Sequence, residues 1–177
     1  MKLVENRTVF VRIGIYSCLA FLLAACSDSK PVASLESDLK PIVDKLLPVA
    51  RLLSERKDGS IIDLRDTPPR VVPDEILFNI SNEQILTLQN FDIAFARYDG
   101  TYQSVLFELS GKGAAVSDVS SGYIYNSTGH FGNDVELVSD VVESFEYKKS
   151  KLQKNESFDM MLVTKVDANW GVYLKTF

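Results

Sequence analysis

The sequence predicts an α+β domain: an N-terminal amphipathic helix packed on one antiparallel sheet of four to six strands, with a short helix near residues 134–144. Three observations lead there. Leu35, Leu39, Ile42, Leu46, Ala50 and Leu53 recur at three- and four-residue steps, the spacing of one helix face. Phe91, Ile93 and Phe95 alternate with Asp92, Ala94 and Ala96, the period of a strand covered on one side. Residues 158–174 alternate again, and Asp167-Ala168-Asn169 divides them into a hairpin.

Composition bounds the rest. The chain has 177 residues, 46% apolar and 24% charged, with a net charge of −5, two cysteines and one histidine. That is enough length for one domain and too apolar for a disordered chain. The acidic balance argues against a general nucleic-acid binder, which needs a basic face to displace counterions. Two cysteines and one histidine leave little material for a zinc site, and no cofactor or metal is expected.

The N-terminus carries the sharpest signal. Lys2, Arg7 and Arg12 make a basic start offset by Glu5, and Ile13 to Ala25 is an uncharged run of 13 residues. That length suits the apolar core of a secretory signal and is short of the roughly 20 residues of a membrane span. The run closes on Leu23-Ala24-Ala25-Cys26, which resembles the lipobox of bacterial lipoprotein precursors. The resemblance covers residues 1–26. It implies cleavage before Cys26, a diacylglycerol on its thiol and, in many bacteria, a further acyl chain on its amine. Two or three chains anchor stably where one binds only marginally. The resemblance also implies sorting: Ser27, where Asp would favour the inner membrane, favours the outer membrane facing the periplasm.

On that reading residues 1–25 are removed, 26–34 are the lipidated cysteine and a short polar tether, and 35–177 form a single periplasmic domain. Removing 25 of 177 residues leaves 152, with 16 Lys and Arg against 23 Asp and Glu, a net charge of −7. Cys18 leaves with the signal and Cys26 is a thioether, so no thiol chemistry remains. The net charge opposes adsorption to an anionic membrane, which leaves the holding to the acyl chains.

The mature chain is then read in order. Residues 35–57 are helical, with Pro41 tolerable if the main helix starts near Lys40, and with Pro48 expected to kink or split it. Asp58-Gly59 closes the segment. Residues 61–80 hold one short extended piece, Ile61-Ile62-Asp63-Leu64, and a stiff connection with Pro68, Pro69 and Pro73. Ser81 and Gln84 fit a capping box, so 81–89 reads as a short helical turn, with Ile85 to Leu88 as strand the alternative. Asp99-Gly100 suggests a type I′ turn that returns Tyr102 to Leu109 as the paired strand. A weak strand around 114–117 and a strand core at Tyr123-Ile124-Tyr125 follow. Asn126 to Asn133 reads as an exposed loop. Val135, Val138, Val141, Val142 and Phe145 have helical spacing behind a cap at Asp134, and the chain then passes into a lysine-rich strand or turn.

Few residues suggest chemistry. His130, the lone histidine, lies in a loop with Ser127, but no Gly-x-Ser-x-Gly turn accompanies it, so it reads as an exposed loop residue. Close carboxylates at Asp63/Asp66, Asp74/Glu75 and Glu143/Glu146 are expected by chance at this acid content. Gly111-Lys112-Gly113 lacks the spacing of a phosphate loop and reads as a turn. Lys148, Lys149, Lys151 and Lys154 form one basic cluster, a solvated face or edge guard, or a contact for anionic headgroups or lipopolysaccharide phosphates.

Ser121-Gly122-Tyr123-Ile124-Tyr125 is similar to the Ser-Gly-x-x-Tyr motif of periplasmic and membrane-bound lysozyme inhibitors. The resemblance implies that Ser121 and Tyr125 match the loop that enters the lysozyme cleft. The second motif of that family, around Thr-Lys-Gly, does not follow, and a long N-terminal helix departs from its all-β barrel. Ser121, Tyr123, Tyr125 and His130 are the candidate interaction residues, and Cys26 the lipidation site. The expected function is a membrane-anchored, non-enzymatic envelope lipoprotein that binds an envelope protein or toxin. The alternatives are a tethered immunity protein or inhibitor of a toxin or lysozyme, and a small periplasmic enzyme.

Overall fold

The computed structural model describes residues 35–56, 59–110, 119–151 and 159–176. The signal segment, Cys26, the tether, the Gly111–Gly113 turn, the strand expected at 114–117, Lys154 and Phe158 lie outside them. The described chain is α+β, with helices on one face of a single sheet. That sheet has eight strands in the order β2-β1-β3-β4-β5-β8-β7-β6. They are β1 (Ile61–Asp63), β2 (Arg70–Val72), β3 (Ile93–Asp99), β4 (Ser104–Leu109), β5 (Val119–Tyr125), β6 (Val135–Leu137), β7 (Met161–Lys165) and β8 (Trp170–Thr176). Every pair is antiparallel except β6 with β7. The sheet thus exceeds the expected four to six strands. β1, β2 and β6 are three residues long, too short for alternation to show.

The first helical segment is split, but at Pro41 and not at Pro48. α1 (Leu35–Leu39) and α2 (Val43–Arg56) flank a turn at 40–42. A proline disfavours helical backbone in the residue before it, here Lys40. Pro48 is carried inside α2, where it and Asp44, whose carbonyl loses a donor, both face solvent. α3 (Asp74–Leu77), absent from the sequence reading, and α4 (Asn82–Asn90) follow. The capping box at the start of α4 forms as its residues suggest: the Gln84 amide donates to Ser81 Oγ at 3.1 Å, and the Ser81 amide to Gln84 Oε1 at 2.7 Å.

Two further expectations are corrected. The helix near 134–144 is a strand followed by a helix, β6 and then α5 (Val141–Lys151). The apolar spacing ran through both. Asp140, not Asp134, caps the helix, its Oδ1 accepting from the Val142 and Glu143 amides at 2.8 and 2.9 Å. Lys148, Lys149 and Lys151 therefore sit on a helix. Between β3 and β4 there is no two-residue turn: Asp99 pairs with Ser104, and residues 100–103 bridge them with positive φ at Gln103. The terminal hairpin matches the expectation, with Asp167 Oδ1 accepting from the Asn169 and Trp170 amides at its turn.

The two sheet faces are unequal. On the helical side Ile62, Ala96, Phe107, Tyr123, Trp170, Val172 and Leu174 join Leu39, Leu46, Val49 and Leu53 in the main core. At roughly 1.5–3 kcal/mol for each buried large apolar side chain, this layer supplies most of the favourable burial. The other side has a smaller core of Leu106, Ile124, Met161, Val163 and Tyr173, closed by Tyr102 and Phe131 from loops. A bulge between Ile93 and Phe95 sends Ile93 to the helical side and Phe95 to the other, which breaks the single face expected for Phe91, Ile93 and Phe95. Along the helical layer, α3 packs on β2, α4 on β3, α2 on β3 and β4, α1 on β8, and α5 on β7 and β8.

Candidate functional site

The motif Ser121-Gly122-Tyr123-Ile124-Tyr125 lies inside β5, between β4 and β8, and is not a loop. Tyr123 and Tyr125 are buried. The Tyr125 ring lies 4.9 Å from that of Trp170, which stacks on Phe107 at 5.8 Å. Burial pushes the Tyr123 phenol up to about 12, and pushes the fully buried Tyr173 phenol up as well. Gly122 is required by the close approach of β4: a Cβ there would stand 1.9 Å from the Phe107 carbonyl oxygen. The residues that carry the inhibitor resemblance thus serve the sheet.

His130 is exposed, as expected, but its loop is not the open segment read from the sequence. Asn126 and Phe131 are buried. Asn126 Nδ2 donates to the Gln103 carbonyl at 2.8 Å and to Ser104 Oγ at 3.2 Å. Its Oδ1 accepts from the Thr128 amide and hydroxyl at 2.8 and 2.7 Å and from the His130 amide at 3.3 Å. Asn169 Nδ2 donates to the Asn126 and Ser127 carbonyls at 2.8 and 3.0 Å. One buried amide side chain thus fixes the loop, and a polar composition of Asn, Ser, Thr and Gly could not announce it.

On the face away from the helices, Phe95 is flanked by Arg65 and Arg97, whose guanidinium carbons lie 5.1 and 5.7 Å from the ring centre. Arg65 forks onto Asp63 at 2.8 and 2.6 Å, and these hydrogen bonds hold the Asp63 carboxyl below its ordinary range. Arg97 meets Asp99 at 3.3 Å. Each arginine has its own carboxylate, so the cluster is internally balanced. Of the close carboxylates, Asp63 is spent in this pairing. Among the described residues no group of three or more His, Cys, Asp and Glu is placed to hold a metal ion.

The most exposed apolar feature is one that the sequence reading missed. Among the described residues the exposed large hydrophobics are Leu77, Phe78, Leu86, Leu137 and Tyr147, and the first three lie on or next to the consecutive helices α3 and α4. Ile76, fully buried, fixes α3 over β2. Ile80 and Ile85 take the two positions of a hydrophobic staple around the α4 cap and join the core, as does Leu88. That pinning turns Leu77 (53% exposed), Phe78 (85%) and Leu86 (56%) outward. Asp74, Glu75 and Glu83, all exposed, surround them in sequence. A signal was present: Leu77-Phe78 are two large apolar residues just before a cap, and the core claims only their neighbours Ile76 and Ile80. Exposed large apolar side chains accompanied by charged residues are what a protein-docking surface is made of.

Comparison with known protein families, curated proteins and solved structures finds no match for this chain. Among the described residues no helix is long and apolar enough to cross a membrane.

Proposed function

We propose that this chain is an envelope lipoprotein, held by acyl chains on Cys26 to the outer membrane facing the periplasm. There it acts as a non-enzymatic module that binds another protein through the α3–α4 corner. The lipobox resemblance at Leu23-Ala24-Ala25-Cys26 supports the anchoring. The observation that carries the binding is Phe78, 85% exposed next to exposed Leu77, with Leu86 exposed on the following helix. Water-exposed apolar surface of this kind gains stability only when another surface covers it. Asp74, Glu75 and Glu83 set the partner's chemistry: an apolar pocket edged by Lys or Arg. A tethered inhibitor or immunity protein is one choice of partner within this reading.

A photo-crosslinking amino acid placed at Phe78 in cells identifies the partner, and titration of the two purified proteins tests the surface. A Phe78→Ser/Leu77→Ser chain is expected to bind at least about 30-fold more weakly, the size of an interface hot spot. Its own stability is expected to stay within about 0.5 kcal/mol, because neither side chain is in the core. Unchanged affinity rejects the corner as the docking surface. Acyl labelling that persists in a Cys26→Ser chain rejects the anchor.

A further inference from the structure

The remaining exposed large hydrophobics lie toward the other edge of the sheet: Tyr147 on α5, in the helical layer, and Leu137 on β6, where it shares with Val135 the face away from the helices. Glu136 ties these two elements together through Lys148 at 2.8 Å. The last turn of α5 holds Lys148, Lys149 and Lys151. Lys148 is neutralised by Glu136. Lys149 and Lys151 form no ion pair among the described residues, and each ammonium lies over a ring of its own helix, 5.6 Å from Phe145 and 5.4 Å from Tyr147. The acids of α5, Glu143 and Glu146, precede this turn. The result is a local basic end with an exposed tyrosine, on a molecule whose mature net charge is −7.

Eight residues separate Cys26 from Leu35, so the anchored cysteine lies within about 30 Å of α1 even when fully extended. α1 packs on β8, and α5 packs on β8 and β7. The strand that carries α5 is thus the one on which the anchored segment's first helix also packs. The α3 end, on β2, is five strand spacings beyond β8, about 24 Å.

We propose that the last turn of α5 rests on the headgroups of an anionic phospholipid bilayer, the membrane that holds Cys26. Lys149 and Lys151 meet the lipid phosphates, and Tyr147 enters the interfacial layer. This rests on the anchoring reading above. The chemistry fits: lysines near an anionic leaflet bind it electrostatically, and tyrosine is favoured at the headgroup level. Net charge does not decide the contact, because screening confines the field of the distant acids to about 8–10 Å. Each lysine contributes about a fivefold factor to docking, equivalent to about 1 kcal/mol.

The test uses the full acylated chain in vesicles of phosphatidylcholine alone or mixed with phosphatidylglycerol. Flotation reads the anchor, and amide hydrogen exchange over residues 141–151 reads the docking, against each chain's exchange without vesicles. The expected result is slowed exchange on the anionic vesicles only, reversed by high salt. Lys149→Gln/Lys151→Gln is expected to weaken docking by about 25-fold while flotation persists, and Lys149→Arg/Lys151→Arg to retain it. Equal exchange on both vesicles, or protection kept in the Gln variant, overturns the proposal. Equal protection by inorganic phosphate in solution also overturns it, in favour of a free-phosphate site. Failure to float from neutral vesicles removes the anchor and the docking with it.

Discussion

Gly122 shows how a single residue fixes this sheet. The Cβ of an alanine there would stand 1.9 Å from the Phe107 carbonyl oxygen and 2.9 Å from its carbon, and backbone cannot swing aside as a side chain can. Gly122→Ala is therefore expected to cost at least about 2 kcal/mol in urea unfolding, by parting β4 from β5. The phenol of Tyr123, next in the chain, makes a pH prediction. Its value is raised from 10.0 to about 12 by burial. The unfolded chain ionises first, so stability holds below pH 10 and falls between pH 10 and about 12, with Tyr173 acting in the same direction. Unfolding midpoints and tyrosinate absorbance across that range check it; a midpoint that does not move contradicts it. Tyr123-Ile124-Tyr125 was legible as a strand core, and Ser121-Gly122 before it was not. The motif's likeness to an inhibitor loop was not a guide to its place, because three fixed residues do not specify whether a segment is covered on both sides.

Elements were legible where one period ran long enough. The terminal hairpin, the α4 capping box and the apolar stripe of residues 35–53 all follow from spacing and cap chemistry. Short elements were not: β2 and α3 rest on Val71 and Ile76, one buried anchor each. The join of β6 and α5 was hidden because Val135 and Val138 keep helical phase with Val141 and Phe145. Pro48 gives the prediction at this scale. It sits inside α2 with its face to solvent, so alanine restores a backbone hydrogen bond without disturbing the core. Pro48→Ala is expected to stabilise the domain by about 1–3 kcal/mol in thermal or urea unfolding. Destabilisation would show that the proline sets a bend on which the packing of α2 depends.

Across the whole molecule, the helical layer is polar from end to end. α1 packs on β8, as does α5 with its lysines. Exposed Phe78 stands at the β2 edge, with Asp74, Glu75 and Glu83 near it in sequence. A chain anchored at Cys26 would hold one end against lipid and offer the other to the periplasm. The sequence could suggest an anchor, because the lipobox resemblance is carried by a few adjacent residues. It could not supply the corner, because an apolar pair reads as core until the fold shows that its neighbours fill the core instead.

The binding claim is tested most directly by the affinity of the acylated chain for the partner crosslinked at position 78, measured with Phe78→Ser/Leu77→Ser beside it. The account predicts a loss of at least about 30-fold with no change in unfolding midpoint. Equal affinity for both chains would contradict it.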